Sequence, residues 1–393
     1  MQDFLDAPPR EENNFQEEQV LVIAGGHFIH DIYSAFLAPL LPLIIEKLSL
    51  TLTLAGSLTA FLQIPAVLNP LIGHYADKFS MRFFVILAPA VTATLMSSMG
   101  LAPNYFTLAL LLFITGISVA AYHAPAPAMI ARVSGQRVGK GMSWFMAGGE
   151  LGRTLGPIIA VWAVSLWSFD GLFRVAVLGW GTSLILFLRL RDIPVNMRAK
   201  GSLQSIVPKI RPLFLPLAIA LFFRMFLAVS MTTYLPIYMR FNGASLWMAG
   251  ASLSILEFAG VAGALMSGSL SDRLGRKSIL LWITVISSLL MLAFLYSADW
   301  MLIPILLILG FTSLSSAPVL LALVQDHFPD NRAVGNGIYL TMSSLLRSLV
   351  MLLVGMAGDA IGLQSAFFWS ALISLLAIPG ILMLPIEIIG ELE

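Results

Sequence analysis

Apolar residues in this chain form long runs, and polar residues collect in the short breaks between them. Cut at Pro, Gly and charge clusters, the runs fall near residues 20–46, 52–76, 82–100, 104–130, 138–164, 168–189, 212–239, 245–270, 278–297, 300–325, 333–356 and 361–386. A helix needs roughly 20 apolar residues to cross the hydrocarbon core of a bilayer. Inside that core a helix satisfies its backbone polar groups within its own segment. The pattern therefore predicts an all-α membrane protein of twelve transmembrane helices.

Two of the polar breaks are nearly the same text. GHYADKFSMR at 73–82 and GSLSDRLGRKSI at 268–279 each give a Gly, an acid four residues later and a cluster of Lys or Arg. Asp77 pairs with Asp272, Lys78 with Arg273 and Arg82 with Lys277, an offset of 195 residues. Pro42 before Glu46 and Lys47 falls on Pro236 before Arg240, and Gly139 and Gly141 fall on Gly335 and Gly337 at almost the same offset. A near-constant offset reads as duplication. The halves meet at 190–211, the one long interior linker, where Arg189, Arg191, Arg198, Lys200, Lys209 and Arg211 gather around Gly201, Pro208 and Pro212. The predicted organisation is a tail at 1–19, a six-helix bundle at 20–189, a linker at 190–211, a pseudo-symmetric bundle at 212–386 and a second tail at 387–393.

Composition agrees. Hydrophobic residues make up 58% of the 393 and charged residues 11%, against about 25% charge in soluble domains. The net charge of +1 implies no nucleic-acid partner, because the basic residues are spread by topology. With no Cys, disulfide frameworks, thiolate metal sites and thiol catalysis are excluded. Residues 1–19 are acidic and polar and lack the pattern of a secretory signal. With the N-terminus in the cytoplasm, sixteen Lys and Arg fall in inner breaks and only Lys47, Arg174 and Arg240 in outer ones. The positive-inside rule selects that orientation, with both termini cytoplasmic.

The second turn, GSLSDRLGRK, resembles the loop between the second and third helices, repeated between the eighth and ninth, of the major facilitator superfamily. The first copy departs from that pattern at Ser80 and Met81. Within the superfamily, GHFIHD at 26–31 followed by YSAFLAPLLPLIIEKL, and YHAPAPAMIARVSG at 122–135, resemble the fosmidomycin resistance protein family. This chain has His30 where that family's pattern would have Asn, and Ala124 where it would have Pro. GGELGRTLGP at 148–157 resembles the fifth-helix motif of proton-coupled exporters; its Gly148, Gly152 and Gly156 would let a neighbouring helix approach closely, with a bend at Pro157. In this superfamily helices 1, 4, 7 and 10 line a central cavity, flanked by 2, 5, 8 and 11.

Charge inside the spans needs a reason, since an ionisable group at the bilayer centre costs at least about 2.5–3.5 kcal/mol. His27, His30 and Asp31 share a face of span 1. His123 lies in span 4, Glu150 and Arg153 in span 5, Arg224 in span 7, Glu257 in span 8 and Arg347 in span 11. None falls on spans 3, 6, 9 or 12. His27 is read as a packing donor, and Glu150 with Arg153 also admits a local ion pair. Asp31, Glu150 and Glu257 are the candidate proton carriers. His30, Tyr33, Tyr122, His123, Arg153, Arg224, Tyr234 and Arg347 are the candidate substrate contacts, Arg offering fixed charge and bidentate geometry to carboxylate or phosphonate. Asp77, Lys78, Arg82, Asp272, Arg273, Arg276 and Lys277 are read as a gate that opens and closes one side.

The expectation is a secondary transporter working by alternating access in a bacterial inner membrane, exporting a small, anionic compound against protons. It is read as a monomer whose partners are substrate, protons and lipid, with no cofactor and no metal, and it is not an enzyme. The alternative is a divalent metal transporter with His27, His30, Asp31 and His123 as ligands; a non-transporting receptor or membrane enzyme is more remote.

Overall fold

The computed structural model describes residues 15–69, 71–72, 82–191, 207–328 and 332–385, excluding the side chains of 207–211 and 332–334. Asp77 and Lys78 lie outside the described residues. All regular structure among those described is helical. In chain order the helical passages are α1 (Glu17–Leu48), α2 (Leu52–Leu68), α3 (Arg82–Leu101), α4 (Tyr105–Val133), α5 (Val138–Trp167), α6 (Asp170–Leu190), α7 (Pro212–Phe241), α8 (Leu246–Leu274), α9 (Arg276–Tyr296), α10 (Asp299–His327), α11 (Gly335–Ile361) and α12 (Leu363–Met383). Ten are long and apolar enough to cross a membrane; α2 is apolar but shorter. The thirty residues of α5 carry Glu150, Arg153 and a run of glycines, which dilute its apolar character.

Three of the helix starts at the end away from the chain termini, called the outer end, are capped by side chains. Thr51 accepts from the Leu54 amide, Asn104 from Thr107 and Ser245 from Met248, covering amides a helix start leaves without intrahelical partners. Besides α12, which breaks between Leu375 and Ala377, four passages are interrupted part-way along. α1 breaks between Ser34 and Leu37, α4 between His123 and Ala126 at Pro125, and α10 between Ser313 and Ser316. In α7 the interruption is a π-turn over Ser230–Tyr234.

Packing forms two bundles, α1–α6 and α7–α12, that meet along α2 against α11 and α5 against α8. The outer pieces of α1 (Leu37–Leu48) and α7 (Leu235–Phe241) also touch. Close approach at the α2–α11 seam depends on Gly56 and Gly355. A Cβ on Gly56 would lie 2.6 Å from the Met351 carbonyl, and one on Gly355 would lie 2.7 Å from that of Leu52. The main apolar core crosses between the bundles here, through Phe36, Leu40, Tyr234, Ile237 and Met351. Toward the termini the first bundle has a separate core around Ile23, Ile86, Tyr122, Phe145 and Leu190. There the inner piece of α4 (Ala126–Val133) packs chiefly on α1, α3 and α5, and that of α10 (Ser316–His327) on α8, α9 and α11. Among the described residues, hydrogen bonds of Asp359 and Tyr234 join the two bundles near the outer end. Leu110, Leu178, Trp180, Leu265, Trp282 and Trp369 are among the large apolar side chains on its outside, a surface suited to lipid.

Candidate functional site

The glycines of α5 bring α1 against it. A Cβ on Gly152 would lie 2.5 Å from the Phe28 carbonyl and one on Gly156 2.7 Å from that of Ile32; Gly148 faces the Ala24 carbonyl and Gly149 the His27 ring. α5 runs through Pro157 as one helix. This contact seats the polar face of α1 between α4 and α5. His27 donates from Nδ1 to the Phe145 carbonyl at 2.8 Å and stacks on the Phe145 ring. His30 stacks on Tyr122, with Nδ1 3.1 Å from Asp31 Oδ1 and Nε2 3.2 Å from Thr92 Oγ1. Thr92 in turn meets Ser118 at 2.9 Å. Asp31 is 2% exposed, with His27 Nε2 3.4 Å from Oδ2 and His123 Nε2 3.4 Å from Oδ1. Imidazoles thus approach the Asp31 carboxylate on three sides.

From this cluster, charge continues toward the second bundle. Glu150 and Arg153 form the intrahelical pair that their spacing allows. Arg153 lies within electrostatic reach of Asp31 and Glu257, and Glu257 within reach of Arg347. Arg347 donates to Thr232 Oγ1 in the π-turn at 2.6 Å, and Arg224 to Thr284 Oγ1 and, at 3.4 Å, to the Ser313 carbonyl. Both arginines line a cavity of about 160 Å³ inside the second bundle, with Tyr339 and the hydroxyls of Thr284, Ser287, Ser313 and Ser343 in its wall. Among the described residues neither has a carboxylate within ion-pair distance. Arg347 Nε and Ser313 Oγ are buried without a hydrogen-bond partner.

Several expected contacts are placed differently. Tyr33 donates to the Val175 carbonyl and is 2% exposed. Tyr234 donates to the Met351 carbonyl at 2.7 Å, with the Leu52 carbonyl at 3.3 Å. Both hydroxyls are committed to packing seams and away from the cavity, as expected of a buried phenol that takes the nearest free acceptor. Tyr122 acts through its ring, and its hydroxyl reaches the Ile23 carbonyl at 3.4 Å. In the turn motif, Arg276 bridges Asp272 at 3.1 Å and Asp326 of α10 at 2.7 Å, all within the second bundle. Lys277 donates to the Leu382 carbonyl of α12, Arg273 ends α8 and Arg82 lies over the Phe83 ring.

Sequence reasoning missed Thr92, Ser118, Thr284, Tyr339 and, most of all, Asp359. Near the outer end of α11, Asp359 accepts from the amides of Leu52 and Thr53 at 2.7 and 2.9 Å and from Thr53 Oγ1 at 2.6 Å. With Thr51 on the Leu54 amide, the first three amides of α2 are satisfied, two of them from the other bundle. The available signal was an acid on the outer side, where topology asks for none.

The chain matches the Major Facilitator Superfamily over residues 23–350 and again over 243–388. It belongs to that superfamily. Among curated relatives, the fosmidomycin resistance protein of Escherichia coli (strain K12) is 22% identical over 90% of this chain and 89% of its own length. The multidrug resistance protein MdtG of Proteus mirabilis (strain HI4320) is 24% identical over 81% and 83%. Solved superfamily members share the fold. A bacterial homologue of the human lysosomal transporter Spinster, inward-facing and occupied, superposes with a TM-score of 0.79 over 94% of this chain and 96% of that one at 16% identity. A D-xylose-proton symporter gives 0.73 over 93% and 97% at 18%. The protein is a multi-pass membrane transporter of small molecules, and not an enzyme. A metal-transporting role finds no favour among these relatives.

Proposed function

We propose that this transporter exports a small anionic compound in exchange for protons. The observation that carries the reading is the second-bundle cavity, where Arg224 and Arg347 have no carboxylate partner and Arg347 Nε and Ser313 Oγ are buried and unsatisfied. Leaving such groups without a partner costs about 1–3 kcal/mol each, more for a charged one, and a carboxylate or phosphonate would satisfy them together. The cavity, about 160 Å³, has room for a small oxyanion head. Asp31, Glu150 and Glu257 are the proton carriers in this reading, strung between the bundles where alternate access would expose them in turn. Drug resistance in the names of two relatives supports export as the direction.

The bonds of Asp359 and Tyr234 between the bundles near the outer end support an outward-closed state, with both termini in the cytoplasm of a bacterium and the protein in its inner membrane. Bundles at 20–189 and 212–386, joined by the 190–211 linker, would rock against each other as a monomer. Arg276, with Asp272 and Asp326, would then belong to the inner gate. The test is proteoliposome transport of a small phosphonate under an imposed pH gradient, with calorimetric binding to Arg224→Lys and Arg347→Lys. Each Lys keeps charge and removes the planar fork, so binding should weaken by about 1.5–3 kcal/mol, the worth of a charged hydrogen bond. Unchanged affinity in both variants would overturn the anion site.

A further inference from the structure

His27, Asp31 and His123 turn ligand atoms toward one another, and the nearby donor Arg153 is engaged by Glu150. His27 has its Nδ1 2.8 Å from the Phe145 carbonyl, and His123 has its own 3.0 Å from that of Val119. A carbonyl only accepts, so each ring holds its hydrogen on Nδ1 and presents an unprotonated Nε2. The two Nε2 atoms are 3.3 Å apart. Asp31 contributes Oδ2, 3.4 Å from His27 Nε2, and Oδ1, 3.4 Å from His123 Nε2. His30, donating to Asp31 Oδ1 from the far side, orients the carboxylate and adds nothing to the space between the three. Thr92 and Ser118 stand behind His30 in turn.

Three lone pairs held this close need an electrophile, and the spacing indicates its kind. A shared proton would draw one edge in to about 2.7–2.9 Å as a charge-assisted hydrogen bond. A zinc ion with bonds of about 2.0–2.1 Å at tetrahedral angles sets its ligands about 3.3–3.4 Å apart. The nitrogen–nitrogen separation, and the separation of each nitrogen from its nearer carboxylate oxygen, have the second spacing, as a carboxylate turned with both oxygens toward the ion would give. We propose that His27, Asp31 and His123 form a binding site for a divalent ion of zinc's class, with the fourth position left to water on the side where His123 is exposed. Two imidazoles and one carboxylate suit zinc, nickel or copper, and do not suit magnesium or calcium, which take oxygen ligands. The cation Arg153, facing the site from α5, is already paired to Glu150, so the local charge does not repel a dication.

The ion is a bound ligand of the protein and not its cargo. All three residues belong to the first bundle, two of them one turn apart on α1, so rocking of the bundles leaves the ligand set together. Occupancy ties α1 to α4 and engages Asp31, and if Asp31 carries protons as proposed above, the ion inhibits transport. Binding itself does not depend on that reading.

The experiment uses the full-length protein in detergent, with any purification tag removed, and zinc as the calorimetric probe. Cobalt serves as a second probe whose visible absorption reports tetrahedral coordination. One saturable zinc site tighter than about 10 µM is expected, with no competition from magnesium. Asp31→Asn and the partly exposed His123→Gln should each weaken it at least about tenfold; thermal melts establish that both are folded. His327→Gln, a histidine far along α10 that bonds only its own helix at Leu323, should bind as the unaltered protein does. The proposal is overturned if the unaltered protein takes up no zinc, as when the pair merely shares a proton, or if folded His123→Gln binds equally well.

Discussion

Asp359 is one side chain holding the outer end shut, and its removal has a calculable effect. Its carboxylate receives the Leu52 and Thr53 amides and the Thr53 hydroxyl across the seam between bundles. Asp359→Asn keeps the shape and one acceptor oxygen but loses the charge and the second acceptor. Truncating a capping side chain costs about 0.5–2 kcal/mol, and charge at an exposed helix start contributes about 0.3–1 kcal/mol. Asp359 is exposed and Asn retains part of the cap, so about 1 kcal/mol is the expected loss. That changes the ratio of outer-closed to outer-open molecules about fivefold. Because the chain has no Cys, spin labels at Leu101→Cys and Tyr296→Cys, outer-end positions 54% and 69% exposed, read that ratio as a distance distribution. The long-distance population should grow about fivefold in the Asn variant. Asn104→Ala, which uncaps α4 within the first bundle, should leave the balance where it was. An unmoved distribution in Asp359→Asn, or an equal shift in Asn104→Ala, would refute the reasoning.

Asp31→Asn and Glu150→Gln should each abolish accumulation driven by a pH gradient while the protein still binds substrate; gradient-driven transport and calorimetric binding on the same preparations check this. Gly152→Ala sets a methyl against the Phe28 carbonyl at 2.5 Å and should cost about 1–3 kcal/mol of stability by overpacking, read as a lower melting temperature in detergent. Gly181→Ala, in the open space around α6, should not lower it.

The spans were legible because a bilayer imposes a length and a composition that few other folds share, and the duplicated turn divided the halves. The glycine period on α5 likewise announced a close neighbour, though not that it would be the His27–Asp31 face of α1. Direction within a helix was less legible. Tyr33 and Tyr234 sit on central helices as a ligand-binding phenol would, yet each hydroxyl turns to a backbone carbonyl bared at a seam, and bared carbonyls are a tertiary product. The Asp359 cap joins residues about three hundred apart in sequence, with no local period to betray it.

The interruptions of α1, α4, α7 and α10 give the transporter articulated struts instead of straight ones, and each of these joints abuts a residue of the site. The carbonyl of Asp31 receives both the Ser34 hydroxyl and the Ala35 amide where α1 bends. His123 ends the outer piece of α4, Thr232 in the π-turn of α7 receives Arg347, and the Ser313 carbonyl at the α10 joint receives Arg224. A change of angle at any joint therefore moves a liganding group, and by reciprocity a ligand held by that group biases the angle. Cargo and counter-ion would thus speak to the shape of the protein through its elbows, with no separate relay between the site and the moving parts.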